Sequence, residues 1–213
     1  CWRSPAGAAA SGAATGPSPL WPRPLGRPGD RERARPLAGQ VPIGARRDIF
    51  QRVRTAVLTI STSVARRQNE DTAGPLLAHL AEEAGADVEA MEVIPDDFPL
   101  IEDRLHHYVD DNFTFVFTTG GTGLTPDDVT PEATRAVVER EAPGIAEAMR
   151  AESMRHTPMG MLARGVAGIA HRTLIVNFPG NPKAIAEVFP VIAPALAHAA
   201  ETLVREGGRA GGH

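Results

Sequence analysis

The chain has a single cysteine, Cys1, in 213 residues, so no internal disulfide can form and no cysteine cluster is present for zinc. A cytoplasmic location is expected from that redox chemistry. Lysine is equally scarce: Lys183 stands alone among 22 basic residues, and the others are arginine. No apolar run approaches the roughly 18 residues of a membrane span, so no membrane association is expected. Excess positive charge is also missing. The formal net charge is −4 and no basic stripe is present, which argues against a nucleic-acid surface. An anionic ligand would have to be held locally, by loops and helix ends. What remains is ordinary for a soluble globular protein, with 42% hydrophobic and 23% charged residues. The length suits one domain, or one domain with a tail.

Residues 1–45 are read as a disordered tail. Pro, Gly, Ala and Arg dominate there, and too little Val, Ile or Phe is present to offset ordering entropy. Residues 46–207 form the expected domain, and residues 208–213 a short disordered end. Within the domain Thr55–Ile60 has the pattern of a buried strand. Pro75 sits in the first turn of a helix that carries Leu76, Leu77, Leu80, Ala81 and Ala84 and stops at Gly85. Val88–Ile94 is a second strand. Asp96 or Asp97 then caps a helix whose apolar face is Phe98, Ile101, Leu105 and Val109. A strand Phe113–Phe117 follows, then two helical segments split by Pro143-Gly144. A hairpin joins Val166–Ile169 to Thr173–Asn177. The last helix runs from Pro182 to about Val204, with interruptions expected at Pro190 and Pro194. Strand–helix alternation implies an α/β fold with a mostly parallel sheet, helices on both faces and one antiparallel strand. Ligands of such sheets bind beyond the carboxyl ends of the strands. That rule gathers the loops Ser61–Thr72, Pro95–Asp97 and Thr118–Thr130, with Phe178–Lys183 as a candidate fourth.

The richest of these loops is Thr118-Thr-Gly-Gly-Thr-Gly-Leu-Thr-Pro-Asp-Asp-Val-Thr130. Gly120, Gly121 and Gly123 let the backbone turn sharply and approach a ligand without Cβ obstruction. Their amides, with the N-terminus of the next helix, suit an anion. The Gly-Lys-Ser/Thr ending of a Walker loop is missing. Glycines alone fit a plain β–α turn equally well. Asp127 and Asp128 change that balance. Acids beside an anion seat repel phosphate unless Mg²⁺ lies between, and Mg²⁺ held by one or two carboxylates plus phosphate oxygens is the usual arrangement. Thr130 is expected to cap the helix, with Pro131 behind it. Asp96 is either a helix cap or a second metal or substrate ligand. Lys183 falls in the first turn of its helix, where the dipole disfavours a cation unless an anion docks nearby.

These motifs resemble the molybdenum-cofactor biosynthesis proteins of the MoaB/Mog type, a family that includes the G domains of gephyrin and of the plant Cnx protein. The matching pieces are Ile60-Ser-Thr62, Glu70-Asp71-Thr72-Ala-Gly-Pro75, Val93-Ile-Pro-Asp96, Thr119 to Thr134, Arg164 to Ile169 and Leu174 to Lys183. The resemblance implies a three-layer α/β/α sandwich and a homotrimer that binds molybdopterin. It implies Mg²⁺-dependent transfer of AMP from ATP to the phosphate of molybdopterin, with release of pyrophosphate, and a downstream molybdenum-insertion protein as partner. The family's essential aspartates fall on Asp96 and Asp128. Thr119, Gly120, Gly121, Thr122 and Gly123 on one loop, and Gly180, Asn181 and Lys183 on another, are the implied phosphate contacts. Asp128 and Asp127 are the implied Mg²⁺ ligands. Thr62 stands where many relatives carry aspartate, and Ala163 where many carry serine. Both departures favour the alternative of a MoaB-like trimer that binds molybdopterin or a nucleotide without turnover. A scaffold role, resting on the tail, is the third alternative.

Overall fold

The computed structural model describes residues 53–204. The expected tails 1–45 and 208–213 lie outside the described residues, as do both ends of the expected domain. Among the described residues six strands form one sheet: β1 (Arg54–Ile60), β2 (Asp87–Ile94), β3 (Phe115–Thr119), β4 (Arg140–Glu141), β5 (Ala167–Ala170) and β6 (Thr173–Phe178). Their order is β2-β1-β3-β6-β5-β4. Strands β2, β1, β3 and β6 are parallel neighbours, and β5 runs antiparallel to both β6 and β4. The helices are α1 (Thr62–Ala65), α2 (Ala73–Glu83), α3 (Phe98–Asp110), α4 (Thr130–Val137), α5 (Pro143–His156) and α6 (Pro182–Val204), with a 3₁₀ turn at Pro158–Leu162.

Alternation along the central strands sorts side chains to two faces. Val57, Phe115, Phe117, Val176 and Phe178 join α2, α5 and α6 in one buried cluster. Ala56, Leu58, Ile60, Val116 and Ile175 join α3 and α4 in the other. The expected three-layer sandwich with its single antiparallel strand is therefore the fold observed.

Several local expectations are corrected. Strand β3 starts and ends two residues later than expected, because Thr118 and Thr119 pair with Leu58 and Thr59 on one side and with Asn177 and Phe178 on the other. Threonine is β-branched and suits a buried central strand. Helix α6 continues through Pro190 and Pro194 without interruption. Both prolines are exposed, while Ile185, Val188, Phe189, Ile192, Leu196 and Ala200 are buried in the core. That packing outweighs a cost of about 3 kcal/mol per proline. By length and composition α6 is apolar enough to cross a bilayer, yet this stripe of it faces the sheet. Of the two expected cap candidates, Asp97 is the one that caps α3, accepting the Leu100 amide at 3.0 Å. Thr130 does not cap α4: Val129 holds the cap position, and Thr130 is already helical with its hydroxyl turned inward.

Candidate functional site

From β1 the chain crosses to β2 on one side, then places β3 on the other side of β1. The loops at the carboxyl ends of β1 and β3 therefore diverge, which is where α/β sheets open a crevice. A cleft of about 280 Å³ lies there, with Ser61, Asp71, Asp96, Gly120, Gly121, Asp128 and Gly180 in its lining. Gly120 (φ 96°) and Gly121 (φ 60°) make the turn in the left-handed region. A Cβ on Gly120 would run into the Ile60 carbonyl, and one on Gly121 would overlap Thr130 Oγ1 and stand 3.1 Å from Asp96 Oδ1. Glycine alone meets both the dihedral and the space. The second loop is seated on this turn. A Cβ on Gly180 would lie 3.2 Å from Gly120 Cα, and the Thr119 hydroxyl donates to the Pro179 carbonyl at 2.8 Å.

Three aspartates, each held by its own bonds, face the cleft. Asp96 Oδ2 accepts from the Thr62 amide (2.7 Å) and hydroxyl (2.9 Å), and the Asp96 amide donates back to that hydroxyl at 3.0 Å. Asp96 Oδ1 takes no hydrogen bond among the described residues and is turned toward Gly121. Asp128 Oδ2 accepts from the Thr125 amide (2.8 Å) and hydroxyl (2.6 Å). Burial works against the Asp128 charge. The Thr125 hydroxyl and amide, the Gly123 amide and the Arg164 guanidinium outweigh it and hold the carboxyl below its ordinary range. Asp71 accepts from the Ala73 and Gly74 amides at 3.1 and 2.9 Å and from the Thr59 hydroxyl at 2.8 Å. Glu70 adds a fourth carboxylate, and the cleft lining contains no Lys, Arg or His.

This donor set fits magnesium. The oxygens are hard, Asp96 offers one that is unengaged, and Asp128 is ionised at neutral pH. Among the described residues no group of three or more His, Cys, Asp or Glu side chains is arranged to enclose a metal by itself. An ion here would complete its shell from water and ligand oxygens, as Mg²⁺ does in phosphate sites.

Of the expected site residues, Thr119, Gly120, Gly121, Gly180, Asp96 and Asp128 meet in this one cleft. Thr122 points to the other side of the loop, into a smaller cavity of about 30 Å³ that Ala163, Arg150 and Asn177 also line. Gly123 turns its carbonyl to Arg164. Asp127 is exposed and outside the cleft lining. Asn181 accepts the Lys183 amide at 2.9 Å, and Lys183 extends its ammonium to Glu187 at 4.0 Å with the side chain 85% exposed. Four residues given no role by the sequence hold the site in place: Thr62, Asp71, Arg164 and Asn177. The Asp71-Thr-Ala-Gly-Pro75 order carries a helix-start signal that identifies Asp71. Arg164 opens the matching piece Arg164 to Ile169, but no local signal gives the partners of its side chain.

Residues 56–198 match the family model described as "Probable molybdopterin binding domain". The chain is 41% identical over 145 residues to the molybdenum cofactor synthesis protein cinnamon of Drosophila melanogaster, covering 67% of this chain and 24% of that protein. It therefore spans about a quarter of that relative. It is 33% identical over 158 residues to a molybdopterin adenylyltransferase of Helicobacter pylori, covering 73% of this chain and 90% of that one. Among solved structures it superposes on the molybdopterin biosynthesis enzyme MoaB of Thermus thermophilus with a TM-score of 0.68 and 41% identity, covering 71% of this chain and 96% of that one.

Proposed function

We infer the function of this chain from one premise: it belongs to the family of molybdopterin-binding domains. Its setting is molybdenum cofactor biosynthesis. Within that setting the proposed reaction is transfer of AMP from ATP to the phosphate of molybdopterin. A phosphate oxygen of molybdopterin attacks the α-phosphorus of ATP, the bond from that phosphorus to the bridging oxygen breaks, and pyrophosphate leaves. The observation that carries this reading is the juxtaposition of the Gly120-Gly121 turn with Asp96 and Asp128, in a cleft without a basic side chain. A simple anion-binding loop gains nothing from such carboxylates.

Bound Mg²⁺ would supply the positive charge that joins these carboxylates to phosphate oxygens. Asp96 and Asp128 are the residues that would hold it. Asp96 presents Oδ1 toward the turn while Thr62 fixes its other oxygen. The amides of the glycine-rich loop bind and orient phosphate, and the substrate's own phosphate is the nucleophile, so no side-chain nucleophile is required. Thr122 and Ala163 line the small cavity on the other side of the loop, which at about 30 Å³ has room for little more than a water molecule. A homotrimer, a molybdenum-inserting partner and a cytoplasmic location belong to the same proposal. Met159 and Met161, 61% and 62% exposed, offer apolar surface to a neighbouring copy.

The deciding experiment measures pyrophosphate released from ATP with and without molybdopterin and Mg²⁺. Release is expected only with all three present. Asp128→Asn should lower it by about 10²-fold or more, with an unchanged circular-dichroism spectrum and an unchanged, trimeric sedimentation mass. Molybdopterin binding with equal release by wild type and variant would refute the enzyme and select the binding-module alternative, which the Thr62 and Ala163 departures favour.

A further inference from the structure

We propose that Arg164 is the positioning residue of this site, holding the glycine-rich loop in its anion-binding form by capturing carbonyls on the loop's outer side. Its effect on substrate rests on the proposal above that this loop seats phosphates; its effect on the loop does not. The Arg164 amide donates to the Thr122 carbonyl at 3.1 Å. Its Nε donates to the Gly123 carbonyl at 2.6 Å, and Nη2 donates to the Asp128 carbonyl. Its Nη1 pairs with Glu132 on α4. One residue thus ties together the start of the loop, its end and the helix that follows.

Planar peptides give these contacts a directional consequence. A carbonyl drawn to Arg164 turns the N–H of the same peptide unit the opposite way. The Gly121 carbonyl is likewise taken by the Thr130 amide at 3.1 Å. The negative ends of four peptide dipoles are therefore engaged by donors, leaving them unable to oppose an incoming anion. Arg164 also lowers the cost of keeping Asp128 charged beside the anion seat. Arginine can do this because its planar fork carries five donors in fixed directions, whereas lysine offers one compact ammonium.

The test uses the full chain with Arg164→Lys, Arg164→Gln and Glu132→Gln. Amide hydrogen exchange across residues 120–129 should accelerate by about tenfold to a hundredfold in both Arg164 variants, while β1 and α2 keep their protection. Calorimetric titration with inorganic pyrophosphate and Mg²⁺ should show affinity weakened by about tenfold or more in both. Glu132→Gln keeps the carbonyl contacts and should stay within about twofold of wild type. Lysine restoring wild-type exchange and affinity would overturn the proposal, because a point charge would then suffice. Glu132→Gln as damaging as Arg164→Lys would overturn it too, by making the ion pair the cause. If Arg164→Gln does not fold, Arg164→Lys carries the test. A wild-type chain that binds no pyrophosphate, with loop exchange responding as stated, refutes the phosphate seat while upholding Arg164 as the residue that orders the loop.

Discussion

Gly121→Ala tests the innermost contact of the turn. At φ 60° an alanine pays about 1–2 kcal/mol relative to glycine for entering the left-handed region. The new methyl would overlap Thr130 Oγ1 and stand 3.3 Å from Thr130 Cβ and 3.1 Å from Asp96 Oδ1. Helix α4 cannot slide away freely, because the Thr130 amide donates to the Gly121 carbonyl at 3.1 Å. The cheaper relief is rotation of the Thr130 side chain, at about 0.5–1.5 kcal/mol if it leaves its staggered well. Together these give a loss of about 1.5–3.5 kcal/mol. Thr130→Ala removes the obstacle. Its hydroxyl is fully buried with no partner among the described residues, so no hydrogen bond is lost. Deleting the methyl costs about 1 kcal/mol, and relieving the unsatisfied oxygen offsets part of that. In this background Gly121→Ala should cost only the left-handed strain, about 1–2 kcal/mol. Urea denaturation of wild type, both single variants and the double variant then yields a coupling of about 0.5–1.5 kcal/mol in the direction of relief. Additivity within about 0.5 kcal/mol would refute the steric account.

Asn177→Ala should destabilise the chain by about 2–4 kcal/mol in the same assay, because three buried hydrogen bonds are lost: Nδ2 donates to the Thr118 and Thr134 hydroxyls at 2.9 Å each, and Oδ1 accepts the Val166 amide at 3.2 Å. A loss below about 0.5 kcal/mol, the size of a surface substitution, would show the network to be dispensable. Tyr108 is the chain's single tyrosine, so a phenolate absorbance titration reads it alone. Burial, then the 2.9 Å bond to Glu92, pushes its pKa up to about 12, so its contribution to stability is full below the ordinary value of about 10 and is lost as pH rises through about 12. Glu92→Gln should lower the midpoint, and a wild-type midpoint near 10 would contradict the packing of α3 on β2.

Periodicity and breakers are local signals, and they placed the long elements well. The buried runs of β1 and β6 and the apolar stripes of α2 and α3 are legible one segment at a time. The two-residue strand β4 is not, since Arg140 and Glu141 are exposed and acquire strand geometry only by pairing with Gly168 and Ile169. Proline misleads in α6 because propensity is a single-residue quantity, while burial of the opposite face is collective. At the site, Gly120, Gly121 and Asp128 are legible because their residue types are locally costly: glycine at positive φ and acid beside a helix start. Asp96 and Asp97 are adjacent, and one-dimensional order cannot say which of them caps. The structure separates them through Thr62, 34 residues away, which engages Asp96 and leaves Asp97 to the Leu100 amide. The contacts of Arg164 are illegible for the same reason, since its side-chain partners lie 32 to 41 residues distant.

The charge pattern of the cleft limits what the proposed enzyme can accept. Two like unit charges about 4 Å apart repel by about 4 kcal/mol at an effective dielectric of 20. Asp96 and Asp128 would each oppose a free polyphosphate in this way, and no Lys or Arg in the cleft lining offsets them. Lys183 lies outside that lining, with its ammonium 4.0 Å from Glu187, and Arg164, also outside it, favours the Asp128 charge from the loop's outer side while donating to carbonyls and Glu132. Loop amides contribute partial charges only, and those of Thr125 and Gly123 are partly committed to Asp128. Under the proposed function the species complementary to this surface is a metal–phosphate complex, not a bare anion. Metal and nucleotide must then strengthen each other's binding by the same factor, since coupling free energy is reciprocal. Under that proposal the cleft is expected to bind neither component tightly alone. In the proposed reaction that keeps the unreacted cofactor precursor and the nucleotide apart until the ion is present to join them.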